Sequence, residues 1–143
     1  MFEEFVLAAS TDTLATAARA DAADAVEFRM DLASDPLDQL AAYEGSLPLI
    51  VTNRAAWEGG KAEGIDRYDA LTEAVDHPSV VAVDIELAAI TGTLPDVGST
   101  DASTEQSHAE ELRSRAREAG VEVIASVHDF TATPPVDELV DRL

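Results

Sequence analysis

Cysteine is absent from the 143 residues. That excludes a disulfide framework, thiolate chemistry and any Cys-based zinc or iron–sulfur site. Basic residues are scarce as well: nine Lys and Arg stand against 29 Asp and Glu, Lys61 is the only lysine, and the formal net charge is −20. A chain without basic patches is excluded as a nucleic-acid binder. Long apolar runs are missing too. Nowhere do 18 apolar residues follow one another, and the opening MFEEFVLAAS has neither a basic leader nor an apolar run long enough for a signal peptide. No membrane association is expected, and the chain is expected to be cytoplasmic. The acids are spread over the whole length, which fits a soluble protein of a salt-rich cytoplasm, where carboxylates hydrate the surface and salt screens their repulsion.

What is present is a regular alternation. With no internal repeat, the length suits a single domain over 1–143 with a real core. Short β-rich runs are predicted near 4–9, 24–30, 47–53, 80–86 and 121–127, with helical patterns near 11–21, 36–43, 64–76 and 105–119 and a fifth beginning near 135. Strands alternating with helices of this length predict βα units around a parallel sheet. Ser10 to Asp12 are expected to cap the first helix, Asp35 to cap the second ahead of Pro36, and Gly120 to end the fourth. One long polar loop, 91–104, reads as a flap or, more in keeping with its Ser, Thr and Gly, as an insertion.

In open parallel sheets and in βα barrels, binding and catalytic groups come from the carboxyl ends of several strands. Here the second strand ends in Glu27, Arg29 and Asp31, the third in Arg54, the fourth in Asp84 and Glu86, and the fifth in Ser126, His128 and Asp129. Alternation puts Glu27, Arg29 and Asp31 on one face and Val26, Phe28 and Met30 on the other. If the apolar face meets the helices, the charges face the barrel interior, where they must be paired or bind something. The Arg54 fork suits hydroxyl and carboxylate oxygens. The Glu58-Gly59-Gly60 turn can return a carboxylate over the strand ends. His128 is the natural proton-transfer group, with Glu58 or Glu86 to orient it. His77, in a turn before Pro78, and His108, on an acidic helix expected to be exposed, are assigned no role, and no metal-ligand spacing appears.

Four motifs, VEFRMDL at 26–32, TNRAAWEGG at 52–60, VDIEL at 83–87 and SVHDFTATP at 126–134, together resemble the successive strand-end motifs of type I 3-dehydroquinate dehydratase, particularly its archaeal members. The resemblance implies an α/β fold of the (β/α)8 TIM-barrel type, with about the first five βα units in this chain. It also implies dehydration of 3-dehydroquinate to 3-dehydroshikimate, the third step of the shikimate pathway. In that family a lysine forms an imine with the substrate ketone, and a histidine removes the adjacent proton and helps the hydroxyl depart. Carried over, His128 is the general acid/base and Glu58 its orienting partner. Glu27, Arg29 and Arg54 would hold the substrate, and Ser10 is a looser match for the same role. No cofactor is implied, and the partner implied is the small-molecule substrate.

The chain departs from the pattern at Asn53, before the motif arginine, and at Val127, where tyrosine is common. It departs most in length, since a full barrel needs roughly 250 residues and the family's imine lysine belongs to a sixth strand. Lys61, on a loop in an acidic chain, does not suit that role. A five-stranded part is expected to pair with another copy or with the missing barrel half, because open strand edges are a liability. The alternative reading is a noncatalytic partial barrel that binds a polyhydroxylated acid or only assembles.

Overall fold

The structure, a computed structural model, describes residues 4–95 and 101–142. Five strands, β1 (Ala8–Thr11), β2 (Ala25–Arg29), β3 (Leu49–Thr52), β4 (Val80–Glu86) and β5 (Glu122–Ser126), form one sheet in chain order. Every neighbouring pair is parallel. Helices α1 (Pro36–Ala41), α2 (Asp66–Ala74), α3 (Leu87–Thr91), α4 (Ala102–Ala119) and α5 (Val136–Arg142) lie between and after the strands, so the five expected βα units are present.

The alternation in β2 decides which side of the sheet is which. Val26 and Phe28, with Leu49 and Val51 of β3 and Val83 and Ile85 of β4, pack against Leu40, Tyr68, Leu71, Val75 and Leu112 from the helices. Burying each such side chain contributes roughly 1.5–3 kcal/mol. The opposite face carries only a small apolar patch, Ala25, Ile50 and Ala82 with Val6 and Ile124 against it. Further along the strands, that same face turns polar with Glu27, Arg29, Thr52, Asp84 and Ser126.

Several local expectations are corrected. The first strand starts at Ala8 rather than near residue 4. The Asp24 carboxylate accepts the Leu7 N–H at 2.9 Å and the Leu7 carbonyl accepts the Asp24 N–H at 2.8 Å, which fixes the start of pairing with β2. The first helix is only a 3-10 segment, Leu14–Arg19, with Thr13 at its N-cap and no side-chain cap, so Ser10 to Asp12 do not cap it. Thr11 instead spends its hydroxyl on the Thr13 backbone. Asp35 does precede Pro36 at the N-cap of α1, but at φ 50° and without a capping bond. Gly120 ends α4 as expected, at φ 72°. Helices α3 and α4 take up both flanks of the supposed long loop; its residues 96–100 lie outside the described ones. No helix among the described residues is long and apolar enough to cross a membrane.

The packing assigns stability to the helix-facing side. Leu71→Ala, at a side chain 1% exposed, is expected to cost about 2–5 kcal/mol. Phe5→Ser, at a side chain 89% exposed, is expected to stay within about 0.5 kcal/mol. Urea unfolding of both variants at one fixed salt concentration checks the contrast.

Candidate active site

The β3 exit is wound tightly around Arg54. The Arg54 carbonyl accepts the Ala62 N–H at 3.0 Å, Gly60 donates to the Ala55 carbonyl at 2.9 Å, and Ala56 donates to the Ala62 carbonyl at 2.8 Å. A Cβ on Gly60 would stand 2.0 Å from the Arg54 carbonyl oxygen, so only glycine fits. The 3-10 turn Ala56–Glu58 closes on Gly59 at φ 83°. This folding returns Glu58 to within 3.7 Å of Arg54.

Glu58 then meets the exit of β5. His128 Nδ1 and Glu58 Oε1 are 2.8 Å apart, with the carboxylate buried and the imidazole side chain 39% exposed. The alternative orienting partner, Glu86, turns the other way: its Oε1 accepts the Ala55 N–H at 2.9 Å and its Oε2 pairs with Arg67 at 2.9 Å. Phe130 stacks alongside the imidazole, ring centroids 6.4 Å apart. A cavity of about 610 Å³ opens beside the pair, lined in part by Trp57, Glu58, Leu87, Thr91 and His128.

Arg54 is buried, and its fork is engaged by its own chain. One end donates to Ser126 Oγ at 2.7 Å, and the other pairs with Asp84 at 2.8 Å, while Ser126 in turn donates to Asp84 at 2.7 Å. Glu86 lies 3.5 Å away. Arg29 makes a two-point pair with Asp31, at 2.8 and 2.7 Å, and Glu27 accepts a hydrogen bond from Thr52 at 2.9 Å. Ser10 stands opposite Glu27 in the register of β1 on β2, and is exposed. The structure thus gathers His128, Glu58 and Arg54 into one network and sets Arg29 and Glu27 on neighbouring strands, with Ser10 at the sheet's edge.

The titrations follow from burial and neighbours. Burial pushes the Glu58 carboxyl above its ordinary range, with the His128 bond opposing and the Glu86 charge adding to the rise. Asp84 is raised by burial too, against the pull of Arg54. Asp31 goes the other way: burial acts to raise it, but the Arg29 pair and the backbone N–H groups of Arg54 and Lys61 outweigh that and hold it low.

Three buried residues escaped the sequence reading. Arg67 bridges Glu86 and Glu105, the latter at 2.8 Å, and Tyr68 donates to the same Glu105 at 2.5 Å. The signal was there: Arg67, Tyr68, Leu71 and Ala74 fall on one stripe of α2, and Glu105, Ala109, Leu112 and Ala116 on one stripe of α4. A charge in an apolar stripe calls for a buried partner. His108, expected to be exposed, is half-buried and stacks on Tyr68 at 5.7 Å. Among the described residues, no three His, Asp or Glu side chains gather as a metal site.

Comparison with known proteins gives a consistent set of relatives. A model of the type I 3-dehydroquinase family matches residues 6–143. The 3-dehydroquinate dehydratase of Haloarcula marismortui is 46% identical over 99% of this chain and 58% of its own length, and that of Halobacterium salinarum is 45% identical over 99% and 59%. Among solved structures, 3-dehydroquinate dehydratase from Enterococcus faecalis superimposes with a TM-score of 0.72 at 26% identity, over 96% of this chain and 59% of that one. The chain therefore spans somewhat under three fifths of the length of the curated relatives it matches.

The low Asp31 titration makes a testable statement about acid. Unfolded, Asp31 takes up its proton near the ordinary value of ~3.9; folded, it does so lower. The stability from the Arg29–Asp31 pair is therefore complete above the ordinary value and lost as the pH falls through the folded one. Urea unfolding in constant salt, stepped from about pH 5 down to about pH 3, is expected to show wild type losing stability more steeply than Asp31→Asn. Equal slopes would remove this pair from the acid response.

Proposed function

The chain belongs to the type I 3-dehydroquinase family, and from that premise we propose that its strand ends form the acid/base half of a site that dehydrates 3-dehydroquinate to 3-dehydroshikimate in the cytoplasm. The observation that carries this reading is the His128–Glu58 pair, 2.8 Å between ring nitrogen and carboxylate, set at the sheet's carboxyl end beside a buried arginine. With Nδ1 held by Glu58, Nε2 is the nitrogen that removes the proton next to the substrate carbonyl and then helps the hydroxyl leave as water. Arg29 and Glu27 present a cation and an acceptor to the substrate's hydroxyls, with Ser10 at the edge. Arg54, enclosed by carboxylates, reaches substrate by exchanging the Ser126 hydroxyl for a substrate oxygen.

The carbanion formed in that step needs an electron sink, which the family's imine-forming lysine supplies as a protonated imine. Lys61 is poorly placed for it. It lies exposed on the loop after Gly60, and its backbone N–H is bound to Asp31 at 3.2 Å, whereas an imine lysine wants a desolvated site or a second cation. We therefore place the imine lysine outside these five βα units, in strands that pair with the open edges β1 and β5 and close the barrel. Those strands come from the same polypeptide, from a second copy or from a separate chain. The position of Lys61 also favours a second reading, in which the chain binds a polyhydroxylated acid without turning it over.

The two readings part in one assay. The chain is mixed, in high salt, with the remaining βα units of the Haloarcula marismortui relative, and enone absorbance is followed with and without borohydride. The expected result is no turnover and no trapped adduct for the chain alone, and both for the mixture. His128→Ala is expected to abolish the turnover, by a factor of about 10²–10⁴ or more, while leaving the trapped adduct. Turnover unchanged in that variant would sink the acid/base assignment, and a soluble complex that never turns over would favour the binding module.

A further inference from the structure

The residues on either side of Arg54 are both tied to Arg67, Asn53 directly and Ala55 through Glu86. Asn53 donates its amide to the Arg67 carbonyl at 3.2 Å, and its own carbonyl accepts from Arg67 Nη1 at 3.5 Å. Ala55 gives its N–H to Glu86, whose other oxygen is the one Arg67 holds. Arg67 itself is 4% exposed and anchored from behind by Glu105, 1% exposed, and by the Tyr68 hydroxyl at 2.6 Å. Its guanidinium lies 4.1 Å from the Tyr68 ring centroid and 5.9 Å from that of Trp57, which belongs to the turn carrying Glu58. A staple joining α2 to α4 would need only Glu105; this one also reaches forward to the β3 exit.

We infer that Arg67 is a positioning residue for the strand-end site. It fixes the backbone before Arg54 directly and the backbone after it through Glu86, and it takes up the charge of Glu86, so that Arg54 stays on Ser126 and Asp84 with Glu58 still 3.7 Å away. Glu86 is the balance point. It lies 3.5 Å from Arg54 and 2.9 Å from Arg67, and with Arg67 removed its charge falls to Arg54 alone. Arg54 would then be drawn towards Glu86 and away from Glu58.

The charged groups facing Glu58 are Arg54 from the β3 exit, Glu86 from β4 and His128 from the β5 exit. Losing Arg67 leaves Glu86 less compensated and Arg54 farther off. Both changes favour the protonated Glu58, since Glu86 raises its titration and Arg54 lowers it.

The inference rests on Glu58 and Arg54 serving the proposed site, but its test needs no substrate. A silent Glu58 would leave the dehydratase reading standing, and a failed turnover assay would leave the titration interpretable. The Glu58 carboxyl is followed by NMR in the full chain labelled at the glutamate side-chain carboxyl carbons, its signal assigned by its loss in Glu58→Gln. In Arg67→Met with wild-type circular dichroism, the Glu58 midpoint is expected to rise, on the order of a tenfold gain in proton affinity. Arg67→Lys, which returns a cation beside Glu86, is expected to bring it back towards wild type. If Arg67→Met does not fold, the double variant Arg67→Gln, Glu105→Gln removes one buried charge of each sign, and the same rise is expected. A folded variant of either kind in which Glu58 titrates as in wild type overturns the inference. So does a lysine variant that folds but rescues nothing, which would make Arg67 a packing residue only.

Discussion

A carboxylate taken out of water has to meet a cation or a hydrogen-bond donor on each oxygen, and Glu86, 1% exposed at the end of β4, meets both conditions from three directions. Much of the site's geometry follows from how that one group is satisfied. Its backbone donor, Ala55, sets the path of the chain leaving β3. Its strong cation, Arg67, ties that path to helix α2. Its longer contact with Arg54 leaves the Arg54 fork free to engage Ser126 and Asp84, with Glu58 at 3.7 Å. Removing either partner would strand a buried charge, at a cost of about 3–5 kcal/mol, so the arrangement is held as a unit rather than bond by bond.

The parallel sheet makes such a cluster possible. All five strands run the same way, so their carboxyl ends deliver side chains to one rim, and the alternation within each strand separates an apolar face from a polar one. Phe28 is fully buried among helix residues, while its neighbours Glu27 and Arg29 stand on the opposite face. The apolar core on the helix side supplies most of the packing, and of the charged groups only the Arg67–Glu105 pair, bonded to the core residue Tyr68, reaches into it. The charged groups, in turn, can tolerate unfavourable titrations, such as the raised Glu58 and Asp84 carboxyls, because the core and not they holds the sheet together.

How much of this was legible in the sequence depends on the period of each element. The strand β4 and the C-terminal glycine of α4 lie where the pattern put them, since a seven-residue run with four β-branched residues and a glycine after a long amphipathic stretch leave little choice. The beginning of the chain was not legible. Phe5, Val6 and Leu7 read as strand residues, but pairing with β2 starts only at Ala8, fixed by the Asp24 side chain, a tertiary contact that no local period announces. Of the site, the strand-end residues could be listed and the Glu58 turn anticipated. The division of labour between Glu58 and Glu86 was left open by the strand-end pattern, and only the family resemblance chose Glu58, because it depends on Arg67, a residue on a helix face rather than at a strand end. The fork of Arg54 was read as open to a ligand, and in the folded chain it is already engaged, because three other strand-end groups, Asp84, Glu86 and Ser126, converge on it.

The five βα units hold the site's internal contacts by themselves. Every contact of the His128–Glu58–Arg54 network described above lies within β3, β4, β5 and the segments leaving them, and its anchors Arg67 and Glu105 lie on α2 and α4. None of these contacts crosses the open edges at β1 or β5. Closing the sheet would therefore add groups to a network whose internal bonds are already made. In the proposed site, a substrate displaces the Ser126 hydroxyl from Arg54, and the rest of the pre-organised charges stay where they are. On the reading proposed above, the acid/base apparatus is thus built by one part of the barrel, and the electron sink is brought to it by another.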